Sequence, residues 1–110
     1  MATTELDARV RDDGDSAVIE LQGDIDGRAE ASLDAAYTQV EHSDDVRLDF
    51  SGVSYMNSTG IALIVGILAQ ARKNGQKVEA SGLADHYREI FRITRLSDFM
   101  TILDDEGDET

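Results

Sequence analysis

Residues 49–60 read DFSGVSYMNSTG, and the residue types best suited to chemistry are concentrated there. Asn57, Ser58 and Thr59 place an amide and two hydroxyls in a row, just before an apolar run that starts at Ile61. The first N–H groups of a helix lack partners within it, and Asn, Ser and Thr side chains accept from them well. One of the three is therefore expected to be an N-cap. The same position has a second use. A helix start carries partial positive charge and free donors, so a phosphate on Ser58 is accommodated there without unfolding the helix. It would add about −1.5 to −2 charges at neutral pH and would block a partner surface by repulsion and bulk. On residue types alone, cap and switch both stay open.

Other residues offer less. Asp24, Asp26 and Asp49 fall at expected strand ends, where a carboxylate cluster holds Mg²⁺ in phosphoacceptor sites; solvated loop carboxylates are the plainer reading. Such a site also lacks the lysine near the last strand that phosphoacceptor domains use. Gly66 and Gly75 precede no lysine-bearing phosphate loop. No G-x-S-x-G elbow surrounds Ser58, which argues against a hydrolase triad with His42 or His86. Those histidines read as surface residues. Tyr55 and Met56 either face the core and cover the helix start, as a hydrophobic staple does, or are exposed partner contacts.

The elements that position these residues follow from periodicity. Leu6, Ala8 and Val10 alternate with polar neighbours, as do Ala17, Ile19 and Leu21, with DDGD at 12–15 between them: an antiparallel hairpin, its second strand ending at Gly23. Ala29, Leu33, Ala36, Tyr37 and Val40 recur at three- and four-residue steps, giving an amphipathic helix over 27–42. Val46, Leu48 and Phe50 form a third strand. The run 61–71 continues as a helix to Lys73 and stops at Asn74–Gly75. Val78 and Ala80 mark a fourth strand, Leu83, Tyr87, Ile90 and Phe91 a third helix, and 101–103 a last strand. The order ββαβαβαβ predicts an α/β fold: a mixed sheet with an N-terminal hairpin followed by alternating helices and strands.

The 110 residues fit one domain, 1–110, with an acidic end at 104–110 expected to be disordered. A hydrophobic content of 41% suffices for a core. The absence of Cys excludes disulfides, thiolate catalysis and Cys-ligated metals. No secretion signal is evident at the N-terminus, and the longest apolar run is too short to span a bilayer, so a soluble cytoplasmic protein is expected. The net charge of −13 repels nucleic acid and anionic membranes and steers in a partner with a basic face.

Taken together, LDFSGVSYMNSTGIALIVGILAQARKNGQKV resembles the anti-sigma factor antagonists of the STAS family. Their pattern of Asp, Ser-x-Val and Met-Asp-Ser-Ser/Thr-Gly is met by Asp49, Ser51, Val53, Met56, Asn57, Ser58, Thr59 and Gly60. The upstream GDID at 23–26 is similar to the family's Gly-Glu-Leu-Asp element, and EIFRITRLSDFMTI to its third helix and final strand. The resemblance implies a STAS-like sheet with a single layer of helices and no catalytic activity or cofactor. It implies a partner as well: an anti-sigma factor that is a GHKL-type serine kinase. Binding that kinase would release a sigma factor. Phosphorylation of Ser58 would end the binding, and a PP2C-type phosphatase would restore it. Asp24, Asp26 and residues 56–60 (Met56, Asn57, Ser58, Thr59, Gly60) would form the contact surface of a chain that is a monomer when free. Two departures stand out: Asn57 replaces the family's Asp, and the acidic end lacks the apolar residues of a final helix that many members carry. The alternative within the same fold is an unphosphorylated structural subunit of a transport or stress-signalling assembly, with Ser58 serving only as a cap.

Overall fold

The computed structural model describes residues 4–12 and 14–103. Its elements run β1 (Asp7–Asp12), β2 (Ser16–Ile25), a 3-10 turn (Gly27–Ala29), α1 (Glu30–Val40), β3 (Asp45–Met56), α2 (Ser58–Lys73), β4 (Lys77–Ser81), α3 (Asp85–Ile93), a second 3-10 turn (Leu96–Asp98) and β5 (Thr101–Ile102). This is the expected ββαβαβαβ order. The strands lie side by side in chain order, β1 antiparallel to β2 and every later pair parallel. The expected acidic tail at 104–110 and the Asp13 position of the first turn lie outside the described residues.

Strand register explains why one face is core and the other is not. Val10, Ile19, Leu48, Ala80 and Ile102 line up across all five strands. One residue along, Arg11, Val18, Arg47, Glu79 and Thr101 line up on the opposite face. Side chains alternate with period two, so the first row is covered by the helices and the second, polar but for Val18, lies on the open face. Leu33, Ala36, Tyr37 and Val40 of α1, Ile64, Ile67, Leu68 and Ala71 of α2, and Phe91 of α3 complete one continuous core. No helix among the described residues is long and apolar enough to cross a membrane.

Three boundaries differ from expectation, each for a local reason. β2 does not stop at Gly23. That residue takes φ +106, next to a shift in the β2–β3 register, and the strand continues to Ile25. β3 in turn continues past Phe50 to Met56, because the longer β2 offers it a partner all the way to Ile25. Gly52 sits inside the strand, where a Cβ would lie 2.9 Å from the Leu21 carbonyl oxygen, so the close approach of the neighbouring strand favours glycine there. Finally, the helix expected from residue 27 opens as a 3-10 turn, tightened by the Asp26 carboxylate, which accepts the Arg28 N–H at 3.0 Å.

Two glycines of α2 make a contrast. A Cβ on Gly60 would sit 1.7 Å from the Ile25 carbonyl oxygen, whereas a Cβ on Gly66 would meet nothing within 4 Å. Gly60→Ala is expected to cost about 3 kcal/mol or more, since the obstacle is backbone that cannot yield. Gly66→Ala is expected to gain up to about 1 kcal/mol from helix propensity. Urea unfolding of the two variants against the wild type measures both.

Candidate functional site

The site is the corner where β2 and β3 end and α2 begins. Asn57, in extended conformation, is the N-cap: its Oδ1 accepts the Gly60 N–H at 2.8 Å, and its carbonyl accepts the first helical bond, from the Ile61 N–H, at 2.9 Å. Its own N–H donates to the Ile25 carbonyl at 3.3 Å. With those groups engaged, the N–H groups of Ser58 and Thr59 are the remaining donors of the first turn that no intrahelical bond can use. Ser58 is thus the first helical residue rather than the cap, and it is exposed. This removes the reading in which its hydroxyl serves as the cap. Thr59, also exposed, faces Gly27, whose Cβ position lies 3.5 Å from the Thr59 methyl.

That contact brings the Asp26–Arg28 corner alongside the start of α2. Asp26 is clamped: Arg28 Nη2 donates to Oδ2 at 2.9 Å, Nε donates to Oδ1 at 3.2 Å and to Oδ2 at 3.3 Å, and the Arg28 backbone N–H donates to Oδ1 as well. The guanidinium bonds, then the backbone bond, hold the Asp26 carboxyl below the ordinary carboxylate range. Arg28 also reaches Glu5 at 3.7 Å.

The seven expected contact residues divide by exposure. Asn57, Ser58, Thr59 and Asp26 reach the surface. Asp24, Met56 and Gly60 do not. Asp24 is 7% exposed because residues 4–5 lie along the end of β2, where the Asp24 N–H donates to the Thr4 carbonyl at 2.9 Å. Met56 belongs to the core, so of the two readings for 55–56 the core-facing one holds for Met56, while Tyr55 is 50% exposed. In this state, Asp24 and Met56 therefore offer a partner little surface. Sequence reasoning missed Tyr87 altogether as part of the site. Its hydroxyl accepts the Met56 N–H at 2.9 Å and donates to the Met56 carbonyl at 3.4 Å. Only its place in a helical apolar pattern was visible in the sequence.

The Mg²⁺ reading fails on placement. Asp49 is not at a strand end but in the middle of β3, opposite Glu20 and Ser81, and its Oδ1 accepts the Ser51 N–H at 3.0 Å. Asp24 lies opposite Tyr55, farther along the strand. No cluster of three metal-capable side chains occurs among the described residues. His42 and His86 are exposed, as expected.

Two measurements check this geometry. Asn57→Ala is expected to lower stability by about 1 kcal/mol in urea unfolding, and Asn57→Asp to keep the cap. Asp26 has a lowered folded pKa, so its contribution is complete above about pH 4 and fades as the pH falls through the folded value. The stability difference between wild type and Asp26→Asn should therefore shrink below pH 4 and hold steady above it.

Comparison with known proteins agrees with this architecture. Residues 8–104 match the family model described as "Mlab, STAS domain". The chain is 34% identical over 98 residues to the anti-sigma-B factor antagonist of Listeria monocytogenes, covering 87% of this chain and 86% of that protein. Two solved structures share the fold. The anti-sigma factor antagonist SpoIIAA in its unphosphorylated form superposes with a TM-score of 0.71 at 17% identity, over 89% of this chain and 88% of the other. The Bacillus cell fate determinant SpoIIAA in the phosphorylated form does so with 0.70 at 18%, over 91% and 94%. The family match, the curated relative and the shared fold agree, and the chain belongs to the STAS domain family.

Proposed function

We propose that this chain is an anti-sigma factor antagonist whose binding surface is the exposed start of α2, switched by phosphorylation of Ser58. The observation that carries the proposal is the placement of that residue. Ser58 is exposed at the first helical position, its neighbour Asn57 already supplies the cap, and the adjacent N–H groups have no partner within the helix. The hydroxyl is therefore available for chemistry without cost to the helix. Resemblance to a curated anti-sigma-B factor antagonist over most of both chains gives the partner class.

In the reaction, Ser58 Oγ forms a bond to the γ-phosphorus of ATP held by the kinase. The bond from that phosphorus to the β–γ bridging oxygen breaks and ADP leaves. The serine proton passes to a base on the kinase. This chain contributes the acceptor and its orientation and is not itself an enzyme. The product phosphate sits over the Ser58 and Thr59 N–H groups and the positive end of α2, a favourable place for an anion. To the partner, the same site has gained about two negative charges and the bulk of three oxygens. The partner is a GHKL-type anti-sigma kinase with a basic contact face, drawn in by the charge of −13, and a PP2C-type phosphatase reverses the change in the cytoplasm. The contact surface comprises Asp26, Asn57, Ser58 and Thr59.

Incubation with the anti-sigma kinase of the same genome and ATP should place one phosphate on Ser58, read by mass spectrometry, and none on Ser58→Ala. Ser58→Glu should weaken kinase binding by roughly tenfold or more, as charge repulsion at a contact requires. Equal binding by wild type, Ser58→Ala and Ser58→Glu, with no phosphate on the wild type, would favour the unphosphorylated scaffold reading instead.

A further inference from the structure

We infer that Tyr87 is a positioning residue for the phosphoacceptor: its hydroxyl fixes the end of β3 and with it the orientation in which Ser58 is presented. This deepens the proposed function and rests on it for the kinase step alone. The reason lies in the sheet. β4 pairs with β3 only from Asp45 to Asp49, yet β3 runs on to Met56. Among the described residues, the β4 side of β3 has no strand partner beyond Asp49. Met56 is buried, 4% exposed, and its N–H and C=O both meet the Tyr87 hydroxyl, at 2.9 and 3.4 Å. One phenol thus does there what a neighbouring strand does elsewhere. Without it, a buried backbone donor and acceptor at Met56 would lose their partner.

The brace is well anchored. Phe91 lies one helical turn beyond Tyr87 on the same side of α3, is fully buried, and packs edge-on against Phe50 of β3 with ring centroids 6.0 Å apart. Both α3 contacts therefore land on β3, one in its middle and one at its last residue. On the other side of the chain, the next residue, Asn57, is tied to β2 through Ile25. The handover from strand to helix is held from α3 and from β2 at consecutive residues, and Ser58 is the first residue past both. Its Oγ must meet a γ-phosphate in line, and a displacement of about 1 Å in such a geometry costs about a hundredfold in rate.

The test is Tyr87→Phe in the full chain, which keeps the ring and removes the hydroxyl. Amide hydrogen exchange should accelerate by roughly tenfold at Met56 and Asn57, whose N–H groups are bonded, while Ile19 and Leu48 keep wild-type rates. With the anti-sigma kinase of the same genome and ATP, kcat for Ser58 should fall by about tenfold with KM nearly unchanged. Uniform acceleration of exchange across the sheet, or an unchanged kcat on a wild type that is phosphorylated, would overturn the positioning role. If the wild type is not phosphorylated at all, the kinase reading fails, and hydrogen exchange still decides for or against Tyr87. Should Tyr87→Phe not fold, the wild-type protein decides. A slowly exchanging Tyr87 hydroxyl proton close to the Met56 amide in NMR supports the brace, and a freely exchanging one overturns it.

Discussion

The Ile25 carbonyl is the point at which the functional end of the molecule is assembled. It closes β2, accepts the Asn57 N–H, and lies where a Cβ on Gly60 would be. Only a glycine lets α2 come down onto the strand end that closely, and only that approach puts the Asn57 amide over the first turn. The consequences are ordered. With Gly60 fixed, Asn57 becomes the cap; with Asn57 as the cap, Ser58 is released from structural duty and left at the surface. The exposure of Ser58 thus follows from a packing constraint two residues further along the chain.

The surroundings of that point are braced from several sides. The Asp26–Arg28 clamp makes a hydrogen-bonded corner next to Thr59, and the 3-10 turn it supports feeds directly into α1. Tyr87 holds Met56 from α3. Farther away, the Tyr37 hydroxyl donates to Gln76 and accepts from Asn74, and the Gln76 amide nitrogen donates to the Val40 and Ser43 carbonyls, fastening the other end of α2. The helix that carries Ser58 is thus secured at both ends. A phosphate can then act as a local change of charge on a fixed surface, with no rearrangement of the fold required.

Much of this was legible in the sequence. Period-two and helical patterns in apolar residues place every strand and helix in order, because the core residues must face one side of the sheet. The motif Met56-Asn57-Ser58-Thr59-Gly60 marks the site by resemblance. What sequence could not supply were long-range facts. The continuation of β3 through Gly52 depends on β2 lying beside it, and no local propensity of SGVSYM reports that. Asp24 reads as a surface carboxylate because Asp usually is one, yet residues 4–5 cover it. Asp49 reads as a strand end only if β3 stops early. Tyr87 looks like a core aromatic, and its polar tip matters through a partner 31 residues away in sequence. The Asn57 departure, by contrast, has a structural answer: the amide oxygen accepts the Gly60 N–H and caps α2 as a carboxylate would, so the cap does not need the missing charge.

The central claim is that phosphate at Ser58 is accepted by the fold while being hostile to a partner. It is tested most directly by the unfolding free energy of the Ser58-phosphorylated protein against the unmodified one, at low and high salt. The account predicts equal or slightly greater stability for the phosphorylated form, by up to about 1 kcal/mol at low ionic strength and less at high salt, as expected for an anion at a helix N-terminus. A loss of more than about 1 kcal/mol on phosphorylation would contradict it, because the phosphate would then be acting on the fold and not on the partner surface alone.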